Sequence, residues 1–140
     1  MNTVEASVLP YRFSASIGGF MGESYSVELR DGTLTHTTTC LDYSSPEHTP
    51  IRPTEAQWRE FRRALDALNV WQWAGDYPNP RVLDGTHWSF DIAYSDRALT
   101  THGDNNYPDA DGKPTNESDP TKTFNHYLRA IQKLTGRNFE

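Results

Sequence analysis

The chain has almost no cysteine: Cys40 stands alone among 140 residues. An internal disulfide is therefore excluded, and so are zinc sites built from cysteine clusters. No apolar run approaches the ~20 residues that a membrane span needs. The opening MNTVEASVLP has neither the basic start nor the apolar centre of a secretory signal. Gly18-Gly19-Phe20-Met21-Gly22 lacks the lysine and following helix that give a phosphate loop its chemistry. No serine occupies a nucleophile elbow. Positive charge is also scarce, with 13 Lys and Arg against 19 Asp and Glu and a net charge of −6. A nucleic-acid binder normally carries a basic stripe that neutralises phosphates. These absences imply a cytoplasmic protein with no cofactor, no nucleic-acid partner and no membrane association.

What is present fits one domain over residues 1–140. Apolar residues are few (35%) and aromatics many (12%), so the core must rely on large rings. Phe13 to Ile17 alternates apolar and polar residues, the period of a strand. Tyr25, Val27 and Leu29 alternate likewise up to Asp31-Gly32, a strong hairpin signal. That turn pairs Leu29 with Leu34 and Val27 with His36, placing His36 and Cys40 on the inner face. Ser44 to Pro53, with its prolines and no periodicity, reads as loop. Thr54-Glu-Ala-Gln57 is a capping box, followed by a helical stripe of Trp58, Phe61, Leu65 and Leu68. Asn69 stops that helix. Val70 to Trp73 reads as an extended segment with Trp71 and Trp73 on one side, and Gly75 to Pro80 as loop. Trp88, Phe90, Ile92 and Tyr94 alternate into a Ser95-Asp96 turn, which pairs Ile92 with Leu99 and Trp88 with Gly103. A glycine opposite Trp88 leaves room for the indole. After a long loop, Asp119-Pro120 predicts the cap and first residue of a second helix, and Gly136 ends it. The expected fold is α+β in the order β-β-β-α-β-β-α: two layers, an antiparallel sheet of about five strands with two helices packed on one face.

The second hairpin carries the candidate chemistry. Its register places His87, Ser89 and Asp91 opposite Asp104, His102 and Thr100 on the polar face. His87, Asp91, His102 and Asp104 are thus candidate catalytic residues: convergent imidazoles and carboxylates could form an acid–base pair or hold a metal. The other reading is a solvated sheet face. In the loop, Asp109-Ala-Asp111-Gly112 echoes a calcium loop, but Tyr107 and Ser118 would occupy positions that need carboxylates. Trp71, Trp73, Asn105 and Tyr107 are candidate binding residues, either lining a groove or filling core.

Asp84, Gly85, Trp88, Gly103, Asn105, Tyr107, Pro108 and Phe124 together resemble an uncharacterised family of small bacterial proteins. In that family an Asp-Gly-x-x-Trp strand leads through a hairpin to a Gly-x-Asn-x-Tyr-Pro-like loop and a C-terminal helix. The resemblance covers the second half of the chain. It implies a fold and transfers no catalytic residue, because the family has no assigned activity. The sequence therefore leads to a non-enzymatic binding or interaction protein, an inhibitor or immunity-type protein acting on a partner with a basic surface. The alternative is a metal-dependent or acid–base enzyme using the hairpin cluster. The chain would be a monomer or a homodimer paired through an open strand edge.

Overall fold

A computed structural model of the chain describes residues 8–19, 22–40, 45–80 and 85–140. Residues 1–7, Phe20 and Met21 of the glycine-rich turn, Ser44, and Val82 to Asp84 at the head of the family pattern lie outside the described residues. Strands β1 (Arg12–Gly19), β2 (Ser24–Arg30), β3 (Thr33–Thr39) and β4 (Glu47–Ile51) precede helix α1 (Glu55–Leu68). Then come β5 (Asp76–Tyr77), β6 (Thr86–Ala93), β7 (Ala98–Asp104) and helix α2 (Lys122–Thr135). The strands form one open, mixed sheet in the order β4-β3-β2-β1-β6-β7-β5. The fold is α+β, with seven strands where about five were expected. It is mixed because β5 runs parallel to β7.

Both hairpin registers match the alternation of the sequence. Leu29 faces Leu34 and Val27 faces His36 across β2 and β3. Asp31 and Gly32 take φ values of 50° and 80°, the left-handed pair that lets a two-residue turn follow the strand twist. Across β6 and β7, Ile92 faces Leu99 and Trp88 faces Gly103. A Cβ placed on Gly103 would stand 2.5 Å from Trp88 Cε2, so the indole lies directly over the glycine.

Two strands fall where loop was expected. β4 occupies the predicted Ser44–Pro53 loop and pairs with β3, setting Thr49 beside His36 and Ile51 beside Leu34. It is an edge strand, where a proline's missing N–H can face outward, so Pro50 is tolerated there. β5 lies in the predicted Gly75–Pro80 loop. Trp71 and Trp73 do not share a side. Asn69 adopts a left-handed conformation and opens a 3-10 turn over Val70–Gln72, so Trp71 stays half-buried while Trp73 enters the core.

The helices pack together on one face of the sheet. Phe13 of β1 contacts Trp58 and Phe61 of α1, while Trp88 and Phe90 of β6 contact Phe124 and Tyr127 of α2. The α1 capping box forms as expected: Gln57 N donates to Thr54 Oγ1 at 3.1 Å, and Thr54 N donates to Gln57 Oε1 at 2.8 Å. The cap of α2 is Thr121, not Asp119. Its hydroxyl accepts from Phe124 N at 3.0 Å and donates to Pro108 O at 2.6 Å. Asp119 and Pro120 are exposed ahead of it. Cys40 is not a core residue; it is half-exposed, with Sγ 3.6 Å from Glu23 Oε1.

Candidate functional site

The second sheet face carries the candidate polar residues. Alternation directs Ser14, Ser16, Ser26, Thr35, Thr37 and Ser89 outward, joined by the four hairpin candidates. None of these outward positions is fully buried. Their side chains are short and hydroxyl-rich because this face has nothing apolar to pack against.

The four hairpin candidates share that face but divide into separate contacts. His87 Nδ1 lies 2.5 Å from Asp104 Oδ1. His102 leans the other way, its Nδ1 3.1 Å from Asp76 Oδ1 on β5. Asp91 accepts from Arg12 Nε at 2.8 Å and from the Thr100 hydroxyl at 2.7 Å. Ser16 and Ser89, between them, share a 2.6 Å hydroxyl contact. Among the described residues, no group of three or more His, Cys, Asp and Glu side chains is arranged to hold a metal ion. The pairs are about half exposed, 58% and 47% for His87 and Asp104, so solvent screens each of them. Beside His87 a shallow hollow of about 380 Å³ is lined by Ser16, Gly18, Ser24, Ser26 and Thr39.

The loop candidates occupy the interior. Tyr107 is 1% exposed, its ring centroid 4.8 Å from that of Phe124. Burial raises its phenol pKa above the ordinary value. Asn105 holds φ at 46°. Its side chain accepts from Thr86 N at 2.9 Å and packs on Gly85, where a Cβ would stand 2.5 Å from Asn105 Oδ1. Trp73 is buried among Trp88, Phe90, Phe124 and Tyr127. Trp71 is half-buried and donates through Nε1 to Asp66 at 2.8 Å.

No protein-family model and no curated protein matches the chain.

Among the described residues of that pattern, Trp88, Gly103, Tyr107 and Phe124 meet in one packed unit. Trp88 packs against Phe124 with the ring planes tilted by 53° and donates through Nε1 to Asn106 O at 3.0 Å. Gly103 lies beneath the indole, and Tyr107 also contacts the Phe124 ring. That segment of the pattern therefore marks how the hairpin, loop and α2 lock together.

Other residues of this region escape local reading. Asn79 donates to Asn105 O at 3.0 Å, and Asn106 donates to Pro78 O at 2.9 Å and to Asn116 Oδ1 at 3.0 Å. These buried amides satisfy loop carbonyls that have no ladder partner. The calcium-like run is a self-capped turn: Asp109 Oδ1 accepts from the amides of Asp111 and Lys113 at 2.8 and 3.0 Å. Arg12 and Asp76 complete the polar pairs, but only long-range strand pairing brings them there. A run of turn-prone asparagines is the one local signal that could have pointed to the loop staples.

Proposed function

We propose that the chain is a non-enzymatic binding protein that presents its open sheet face to a partner with a basic surface. The observation that carries this reading is the division of charge. Helix α2 holds Lys122, Arg129 and Lys133 and no acid, while α1 balances three cations with three acids. The helices thus contribute +3 to a net charge of −6, leaving −9 on the rest of the chain. Glu28, Asp76, Asp91 and Asp104 stand on the open face against Arg12 and Arg30. Short hydroxyl side chains between them leave backbone and carboxylate groups within reach of a docking cation. Such a face gives fast, salt-sensitive capture of an oppositely charged protein. An inhibitor of a basic protein, or an immunity-type protein, needs that property.

The test is affinity capture from the native host with wild type and with the Asp76→Asn/Asp104→Asn variant. A basic protein retained at low salt by wild type, released by salt and lost with the variant carries the reading. Capture that ignores both salt and the substitutions removes it.

A second reading is favoured by the His87–Asp104 contact beside a hydroxyl-lined hollow. Asp104 orients the imidazole through Nδ1, which leaves Nε2 to act as a general base. Wild type and His87→Gln, assayed on a panel of activated esters and phosphoesters, separate the two readings. Turnover by wild type alone supports acid–base chemistry, and equal background rates remove it.

A further inference from the structure

One row of residues runs straight across the open sheet face. It takes Thr39 from β3, Ser24 from β2, Gly18 from β1, His87 from β6 and Asp104 from β7. Thr39 is paired with Ser24, Gly18 with His87, and His87 with Asp104. Ser24 and Gly18 form the next step beyond the Ile17–Tyr25 pair. The glycine puts no side chain between Ser24 and His87.

Ser24 leans into the space that Gly18 leaves. A Cβ built on Gly18 would overlap the Ser24 hydroxyl and stand 2.5 Å from Ser24 Cβ. The hydroxyl therefore lies where a side chain at residue 18 would begin. Directly opposed residues of an antiparallel pair hold their Cβ atoms about 4.5–5.5 Å apart, so Ser24 Oγ stands about that far from His87 Cβ, within reach of the imidazole. On the other side of the ring, Asp104 Oδ1 lies 2.5 Å from Nδ1, which leaves Nε2 as the free nitrogen. Ser24 and His87 both line the hollow of about 380 Å³. Other hydroxyls of this face are engaged: Ser16 with Ser89, and Thr100 with Asp91. Among the described residues, Ser24 Oγ makes no such bond.

We propose that Ser24 is a nucleophile, with His87 as its base and Asp104 as the group that orients the base, and that the substrate is a small carboxylic ester without negative charge. Hydroxyl, imidazole and carboxylate in that order are what acyl transfer through serine uses. Ser24 Oγ attacks the carbonyl carbon of an ester seated in the hollow, and its proton passes to His87 Nε2. The bond from that carbon to the leaving alcohol breaks, and the alcohol departs with the proton. Water then gives a proton to Nε2 and attacks the acyl-serine; the acid leaves, and the proton returns to Ser24 Oγ. Ser26 and Thr39, in the same lining, carry the hydroxyls that can donate to the carbonyl oxygen. Asp91 and Asp104 on this face of an acidic chain repel an anionic substrate, ionised phosphoesters included. The inference rests on the acid–base reading of His87 and adds to it the nucleophile and the bond broken.

The test uses the full chain as wild type, Ser24→Ala and His87→Gln, with circular dichroism to show that all three are folded. A neutral fluorophosphonate traps the nucleophile: the serine oxygen bonds to phosphorus and fluoride leaves. Peptide mapping of wild type is expected to find one adduct, on Ser24. Labelling should vanish in Ser24→Ala and slow on the order of 10²-fold or more in His87→Gln. Hydrolysis of p-nitrophenyl acetate, followed by absorbance, should fall by a similar factor in both variants. Turnover that survives Ser24→Ala but falls in His87→Gln overturns the nucleophile and leaves the acid–base reading standing, with His87 acting on water. An unlabelled Ser24, or an adduct on another residue, also overturns the nucleophile. Wild-type turnover no faster than buffer, or equal in all three proteins, overturns both.

Discussion

Gly103→Ala puts the packing around Trp88 to a test whose sign is informative. In an ordinary strand, replacing glycine by alanine stabilises by about 0.5–1 kcal/mol, because glycine loses more backbone freedom on folding. At Gly103 the new methyl would meet Trp88 Cε2 at 2.5 Å and Cζ2 at 2.7 Å. The indole cannot simply move aside. It is 2% exposed and packed against Trp73, Tyr77 and Phe124. Overpacking of this kind costs about 1–3 kcal/mol, and displacing the ring also breaks the Nε1 bond to Asn106 O, worth about 1 kcal/mol. After the entropic gain, the net loss is about 1–3.5 kcal/mol. In a Trp88→Phe background, the clashing atoms and the hydrogen bond are already gone. There Gly103→Ala should be neutral or favourable by up to ~1 kcal/mol, giving a coupling of about 2–4 kcal/mol. Urea denaturation followed by far-UV circular dichroism measures all four corners of the cycle. A wild-type Gly103→Ala that is neutral or stabilising, or a loss of equal size in both backgrounds, would refute the reasoning.

The α2 cap gives a simpler contrast: Thr121→Ala should cost about 1–2 kcal/mol in a urea melt, whereas Asp119→Ala should be nearly silent. Arg62 spans Tyr94 and Trp71 with its guanidinium carbon 4.5 and 5.3 Å from the ring centroids, and it also pairs with Asp66 and Asp96. Arg62→Met should lower stability by about 1–2 kcal/mol, mostly through the lost ring contacts, since the carboxylate partners are exposed; a melting temperature unchanged at both low and high salt would show that the stacking carries no weight. The tyrosines predict alkaline behaviour. The Tyr25 phenol is pushed up to about 12 by its hydrogen bond to Glu23 and by burial, and burial raises Tyr77, Tyr94, Tyr107 and Tyr127. The folded state keeps protons that the unfolded state loses near pH ~10, so stability holds below that value and falls as pH rises through the folded pKa values. Tyr127, fully buried, alone contributes about 1.4 kcal/mol per pH unit to that fall. In a Tyr11→Phe background, which removes the phenol of a largely exposed ring, the absorbance of these five phenolates should therefore appear together with loss of far-UV signal; their titration near pH ~10 with the fold intact is the contrary result.

What could be read from the sequence was what is decided locally. Asp31-Gly32 dictates its turn, Thr54 and Gln57 cap each other, and the alternation from Trp88 to Tyr94 fixes which side of β6 is buried. β4 was hidden because Pro50 interrupts its pattern, and an edge strand tolerates it. β5 has two residues and exists through its pairing with β7. It is aided by the Tyr77 hydroxyl, which donates to Gly112 O at 2.6 Å. At the start of α2, Asp119-Pro120 is locally as good a cap as Thr121; the bond from Thr121 to Pro108 O decides between them. The same holds on the polar face. Alternation placed His87, Asp91, His102 and Asp104 together, but Arg12 and Asp76 draw two of them outward, and both arrive on strands whose neighbours no local signal specifies. The loop asparagines were legible as turn formers, not as staples for distant carbonyls.

The position of β1 sets an order of events in time. It lies at the centre of the sheet, yet its two neighbours come from opposite halves of the chain: β2 follows directly, while β6 is distant, as the pairing of Ser16 with Ser89, 73 residues apart, shows. During synthesis the β1–β2–β3 meander can form as soon as it emerges. One edge of β1 then stays open until the helix, the loop and β6 have followed. Such a long-range closure is slow, and an open central edge is the point at which nascent chains can pair with one another. The serines of β1 and the glycines at its end make that waiting edge a poor template for aggregation. A substitution such as Ser16→Val, which costs the folded state only the exposed hydroxyl contact with Ser89, would therefore act chiefly on the yield of folded chain.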